Sequence, residues 1–247
     1  MTVICVIGAI VILVLLEPIA QDPTYHRFSD SRTFWHTLNC WNVLSNIPFL
    51  LTGGWGLLQL RRSNRLQIAH ENRLAYWLFF AGVLLVSAGS SYYHVDPGNE
   101  SLVWDRLPMT IGFMALFSII ISEFVSARLG KRLLLPLLVF GCFSVFYWWF
   151  TESMGQGDLR LYLIVQFLPM LLAPIIMVVY RSRFTHTSGY WLLFLAYIAA
   201  KVLEYYDGAV YSLTGNVISG HSLKHIVAAS GVFLLLRSYQ LRTDNQP

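Results

Sequence analysis

Apolar residues along this chain gather into long runs divided by short polar connections. Seven such runs cover Trp41 to Leu60, Leu74 to Tyr93, Asp105 to Val125, Leu133 to Phe150, Leu159 to Tyr180, Tyr190 to Tyr211 and His221 to Leu236. Each is close to the roughly 20 residues that a helix needs to cross the hydrocarbon core of a bilayer. The pattern predicts an all-α integral membrane protein, a seven-helix transmembrane bundle. An extra, shorter apolar stretch, Val3 to Leu16, stops at Glu17-Pro18. No Lys or Arg precedes Arg27, so this stretch lacks the basic start of a secretory signal. It is expected to be a short retained membrane segment, with a cleaved signal as the alternative. The resulting division is residues 1–20, an N-terminal hydrophobic segment; 21–40, an outer-side loop; 41–237, the seven-helix domain; and 238–247, a cytoplasmic tail.

Composition agrees with a membrane class. Hydrophobic residues make up 56% of the 247 and charged residues 12%, where a soluble domain carries about 25% charged residues. The net charge of +4 would hint at nucleic acid in a soluble protein. Here the cations fall in the connections between runs, so no nucleic-acid partner is expected. Arg61, Arg62, Arg65 and Arg73, then Arg128, Lys131 and Arg132, then Arg181 and Arg183, then Arg237 and Arg242 occupy alternate connections. The intervening ones hold only Arg27, Arg32, Arg106 and Arg160. The positive-inside rule then puts the C-terminus in the cytoplasm and the loops around His94 and Gly220 on the other face. Compact length and short loops point to a bacterial inner membrane. Cys5, Cys40 and Cys142 are widely spaced and odd in number, which is expected of buried apolar cysteines rather than a metal or disulfide set.

Ionisable groups within membrane runs are costly and call for a reason. His221 and His225 stand four apart, on one face of a helix, close enough to share a metal ion. His94 closes an earlier run, and Asp105 opens the next. The arginine-based topology brings all four to one membrane face. Three histidines with a water in an open fourth position fit a catalytic zinc centre, and the metal would bring that water's pKa toward about 7. Asp105 is placed to act as general base or to orient the water. Ser90, one turn before His94, is placed to hydrogen-bond a substrate carbonyl or developing oxyanion. A second polar set, Lys201, Glu204 and Asp207 at spacings of three with Lys224 nearby, is expected to pair internally. Asn42, Ser45 and Asn46 are expected to hydrogen-bond between helices.

These residues bear a family likeness. Asn42-Val43-Leu44-Ser45-Asn46, Ser90-x-x-x-His94, Asp105-x-x-Pro108 and His221-x-x-x-His225, in that order, resemble the motifs of the alkaline ceramidases and their bacterial relatives. That family belongs to a superfamily that also includes the adiponectin-type receptors. The resemblance spans Asn39 to Arg237. It implies zinc held by His94, His221 and His225, catalytic support from Ser90 and Asp105, and hydrolysis of ceramide or a similar N-acyl membrane lipid to a long-chain base and a fatty acid, with zinc-bound water as nucleophile. The wider superfamily leaves one alternative, a receptor or sensor with a structural zinc and no turnover. One motif departs. The ceramidases carry an acidic calcium-binding run before the first helix, where this chain reads Tyr25-His26-Arg27-Phe28-Ser29-Asp30 and later Asn39. Calcium takes six to eight oxygens, so a calcium site of that type is not expected here.

Overall fold

A computed structural model of the chain describes Gly8, Val11, residues 15–62 and residues 65–245. Most of the expected N-terminal segment, Val3 to Leu16, lies outside the described residues. The first predicted span is two helices, α1 (Cys40–Leu44) and α2 (Ile47–Arg61). Pro48 explains the break. Its ring would collide with the carbonyl of Leu44 if the helix ran on, whereas in the first turn of α2 its missing N–H costs nothing. Ser45 and Asn46 between them keep near-helical backbone angles, so the pair still forms one apolar stretch of 22 residues.

The chain continues through α3 (Arg73–Val95), α4 (Asn99–Phe124), α5 (Ala127–Ser153) and α6 (Arg160–Val179). Together with α1–α2 these make five stretches long and apolar enough to cross a membrane, as in a multi-pass membrane protein. Two further long helices, α7 (Ser188–Tyr205) and α9 (Gly220–Leu241), flank the short α8 (Asp207–Leu213). The run expected from Tyr190 to Tyr211 therefore breaks at Tyr206. Lys201 and Glu204 on α7, and His221, Lys224 and His225 on α9, make these two more polar than the other five. Outward-facing Leu135, Val139, Phe143 and Val178 are exposed, which suits a surface against lipid.

The helices α3 and α4 pack along their length, as do α7 and α9. The main core joins Tyr76 and Phe80 of α3, Ile119 of α4, and Leu235 and Tyr239 of α9. A smaller cluster at the other end gathers Tyr93, Leu102, Val145, Trp148 and Tyr162, with Tyr25 and Phe28 from the 21–40 segment against it.

Arg242, expected to be one of the orienting loop cations, is fully buried with Glu123. Its Nη1 and Nη2 donate to the two carboxylate oxygens at 2.8 and 2.5 Å, and the Tyr76 hydroxyl donates to the same carboxylate. The guanidinium also lies over Phe184 and Tyr239, 4.0 and 4.3 Å from their ring centres. The expected tail, residues 238–247, is thus tied into the bundle through Ser238, Tyr239 and Arg242, all buried.

Candidate metal centre

Four features fix the N-terminus of α9 and with it His221 and His225. The Ser219 hydroxyl caps the helix, accepting from Ser222 N at 3.1 Å. Asp207 Oδ1 accepts a second free N–H, that of His221, at 2.7 Å. Asp207 Oδ2 accepts from Ser29 N at 2.9 Å, which ties the 21–40 segment to the same point. Gly220 lets α9 press on α7: a Cβ there would stand 2.2 Å from the Leu203 carbonyl oxygen.

His94 arrives from the last turn of α3. Asn39, with a left-handed backbone (φ 50°), donates from Nδ2 to the His94 carbonyl at 2.9 Å. All three imidazoles are buried. One ring nitrogen from each lies within 4.8 Å of the other two, and Nε2 of His94 is 3.3 Å from Nε2 of His221. Phe28 seals the group edge-on, its ring centre 4.7 Å from that of His94 and 4.6 Å from that of His221. A tetrahedral zinc with Zn–N bonds of about 2.0–2.1 Å sets its nitrogen ligands about 3.3–3.4 Å apart. The His94–His221 separation matches that edge; Nδ1 of His94, the nitrogen on the other side of the ring, has no hydrogen-bond partner among the described residues. The three histidines that the spacing singled out thus form one group able to hold a metal ion.

His225 has its orientation set from α1. Ser45 Oγ lies 2.9 Å from the Asn42 carbonyl, which can only accept, and with its single proton there it accepts from His225 Nδ1, 2.8 Å away. That places the proton on Nδ1 and leaves the Nε2 lone pair free for a metal, the usual arrangement of a ligating histidine. Asn42 extends the support: its Oδ1 accepts from Ser222 Oγ at 2.7 Å and its Nδ2 donates to the Asp30 carbonyl at 3.2 Å. Asn42 and Ser45 do hydrogen-bond between helices, as expected, whereas Asn46 turns back along its own stretch, donating from Nδ2 to the Asn42 carbonyl at 2.9 Å. The spacing did not reveal that Ser45 orients a ligand. The sole signal was a hydroxyl in a span that Pro48 interrupts.

Asp105 lies in the second turn of α4, which begins at Asn99 rather than at Asp105 as the apolar pattern implied. It is buried and interacts with Ser90 of α3. The two helices meet here because of Gly89 and Pro108. Pro108 has no N–H to offer the Trp104 carbonyl, four residues back. Gly89 sits against that carbonyl, and a Cβ on residue 89 would be 2.0 Å from its oxygen.

Ser90, His94, Asp105, His221 and His225 all line one cavity of about 400 Å³. Its walls run from His94 to Phe79 on α3 and from Asp105 to Ile120 on α4, about 20 Å at 1.5 Å per residue. Beyond the polar end the lining is apolar, with Phe79, Val83, Met109, Phe113, Leu116 and Phe194 among it.

The second polar set divides. Glu204 accepts from Lys201 at 2.7 Å and from Lys224 across to α9, so the expected internal pairing is present. Asp207 belongs elsewhere, with His221 and Ser29. The Asp30 carboxylate is engaged by Arg32 at 2.6 Å. Of the two groups left from the calcium motif, Asp30 pairs with Arg32 and Asn39 donates from Nδ2 to the His94 carbonyl.

No family model and no curated protein matches this chain.

Proposed function

We propose that the chain is a zinc-dependent intramembrane amidase that cleaves an N-acyl lipid such as ceramide into a long-chain base and a fatty acid. The observation that carries this reading is the position of the three-histidine group at the polar end of a long apolar cavity, with Ser90 and Asp105 in the same wall. The likeness of those same residues to the motifs of the alkaline ceramidases agrees with it. On this reading α7 and α9 complete a seven-span bundle in a bacterial inner membrane, with the centre toward the non-cytoplasmic face.

A zinc ion held by His94, His221 and His225 would activate water at neutral pH and polarise an amide carbonyl. The remaining chemistry belongs to the side chains. The cavity walls take the acyl chain and place the amide carbon at the polar end. Asp105 accepts a proton from the attacking water at a carboxylate oxygen, then returns it to the amide nitrogen as the C–N bond breaks. Ser90 donates to the carbonyl oxygen as negative charge builds there. Ser45 keeps His225 in the ligating tautomer. Phe28 and the apolar walls exclude bulk water.

The test is hydrolysis by purified protein in detergent or liposomes, with metal content measured on the same samples. Release of fatty acid from a ceramide panel, lost with a chelator and restored by zinc, is the expected result. Stoichiometric zinc with no turnover of any lipid amide would replace the amidase with a sensor whose metal is structural.

A further inference from the structure

One buried cation on the cavity wall has no part in the chemistry above. Arg106 is 4% exposed and lines the cavity that holds the three histidines. Its Nη2 donates to Gln21 Oε1 at 2.6 Å. Its Nη1 has no hydrogen-bond partner, and no carboxylate forms an ion pair with it among the described residues. The guanidinium is instead stacked between aromatic rings, 4.1 Å from the centre of Trp148 and 4.5 Å from that of Tyr162, with Tyr25 at 5.9 Å. Ring faces offset part of the desolvation of a cation and hold its plane fixed. They leave its in-plane N–H groups unanswered, and an unmade hydrogen bond from a buried charged donor is expensive.

Charge at that end of the cavity points the same way. Lys201 and Lys224 share the one Glu204 carboxylate, and all three line the cavity with Asp105 and Arg106. Along the lining three cations therefore face two carboxylates; a third, Glu152, stands behind the clamp, bonded to Gln21 N and Trp148 Nε1 without pairing with Arg106. A planar, aromatic-clamped guanidinium with a free N–H edge is a receptor for a carboxylate or phosphate, which it grips through paired hydrogen bonds.

We infer that Arg106 is a specificity residue, and that among N-acyl lipids this cavity prefers one with an anionic headgroup, a carboxylate or a phosphate held by the guanidinium, over a neutral one such as ceramide. The inference rests on the amidase reading for the amide in its probes, and its own test is binding rather than turnover.

Three probes share one acyl chain and one amide: N-palmitoylethanolamine (neutral), N-palmitoylglycine (carboxylate) and N-palmitoyl-phosphoethanolamine (phosphate). Binding is measured calorimetrically to the full chain in detergent, after metal has been removed with a chelator so that no ligand anion can be held by the metal. At least one anionic probe should bind about tenfold or more tightly than the neutral one, and the tighter of the two identifies the anion. Arg106→Gln should bring the three within about twofold of each other while still binding the neutral probe. Equal binding of all three by the unaltered chain overturns the inference, as does a preference that survives Arg106→Gln. Should that variant not fold, Arg106→Lys keeps the charge and loses the fork, so the preference should fall several-fold, and an unchanged preference is again a refutation. Anion preference in a protein that hydrolyses nothing would leave this inference standing and remove the amidase.

Discussion

Ser45 Oγ lies 2.8 Å from Nδ1 of His225 and 2.9 Å from the Asn42 carbonyl, a pairing through which a serine between α1 and α2 favours the Nδ1–H tautomer of a histidine on α9. Ser45→Ala should therefore weaken metal binding without removing a ligand, by about 10–100-fold. Competition with a chelator of known affinity measures this. Unaltered affinity would mean that the imidazole holds its orientation without the serine.

His221→Ala removes one of three ligands. Purified wild-type protein should carry close to one metal ion per chain, and the variant a small fraction of that. Metal quantification reads both, and full occupancy in the variant would rule out the three-histidine centre.

Asp105→Asn and Ser90→Ala separate the chemistry from the metal. Each should retain the metal, and each should lose about 10²–10⁴-fold in turnover. A double variant with undiminished function would favour a receptor with a structural metal.

Gly89→Ala tests the close approach of α3 to α4. The added methyl would meet the Trp104 carbonyl, so the helices must part, at about 1–3 kcal/mol. Thermal unfolding in detergent should show that loss. Activity should fall by more than stability alone explains, because Ser90 and Asp105 stand on the two separated helices.

Glu123→Gln leaves Arg242 buried without its counter-charge. Breaking a pair buried on both sides costs about 3–5 kcal/mol, so the midpoint of unfolding should drop sharply. Metal affinity of the folded fraction should not change, since this pair joins α4 to the far end of α9. A stability equal to wild type would mean that solvent reaches the site.

Apolar run length was enough to place the long helices, because in a bilayer a helix must satisfy its own backbone and little else competes. It could not place their ends. Pro48 divides the first run, and the chain breaks at Tyr206, between Glu204 and Asp207, where the apolar pattern read one continuous helix. Helical spacing brought out His221 and His225, and the order of the spans brought His94 to them. Asp207 shows what such reading misses. Its three-residue spacing from Glu204 put it in an ion-pair cluster, whereas the break at Tyr206 turns it to cap α9. Arg242 shows the same: a cation near a chain end reads as solvated, and only packing reveals Glu123 opposite it. Ser45, Asn39 and Phe28 carry no periodic signal at all, since each acts on a residue far along the chain.

Asp207 has a mechanical consequence. One carboxylate grips both the peptide N–H of Ser29 and that of His221, and the neighbouring Phe28 ring rests on two of the imidazoles. The segment ahead of the first apolar stretch is therefore latched to the three-histidine group. Tension, cleavage or an antibody acting on residues 27–32 would be transmitted to those imidazoles and to any ion they hold, and loss of metal from loaded protein after a single proteolytic nick there would be its signature.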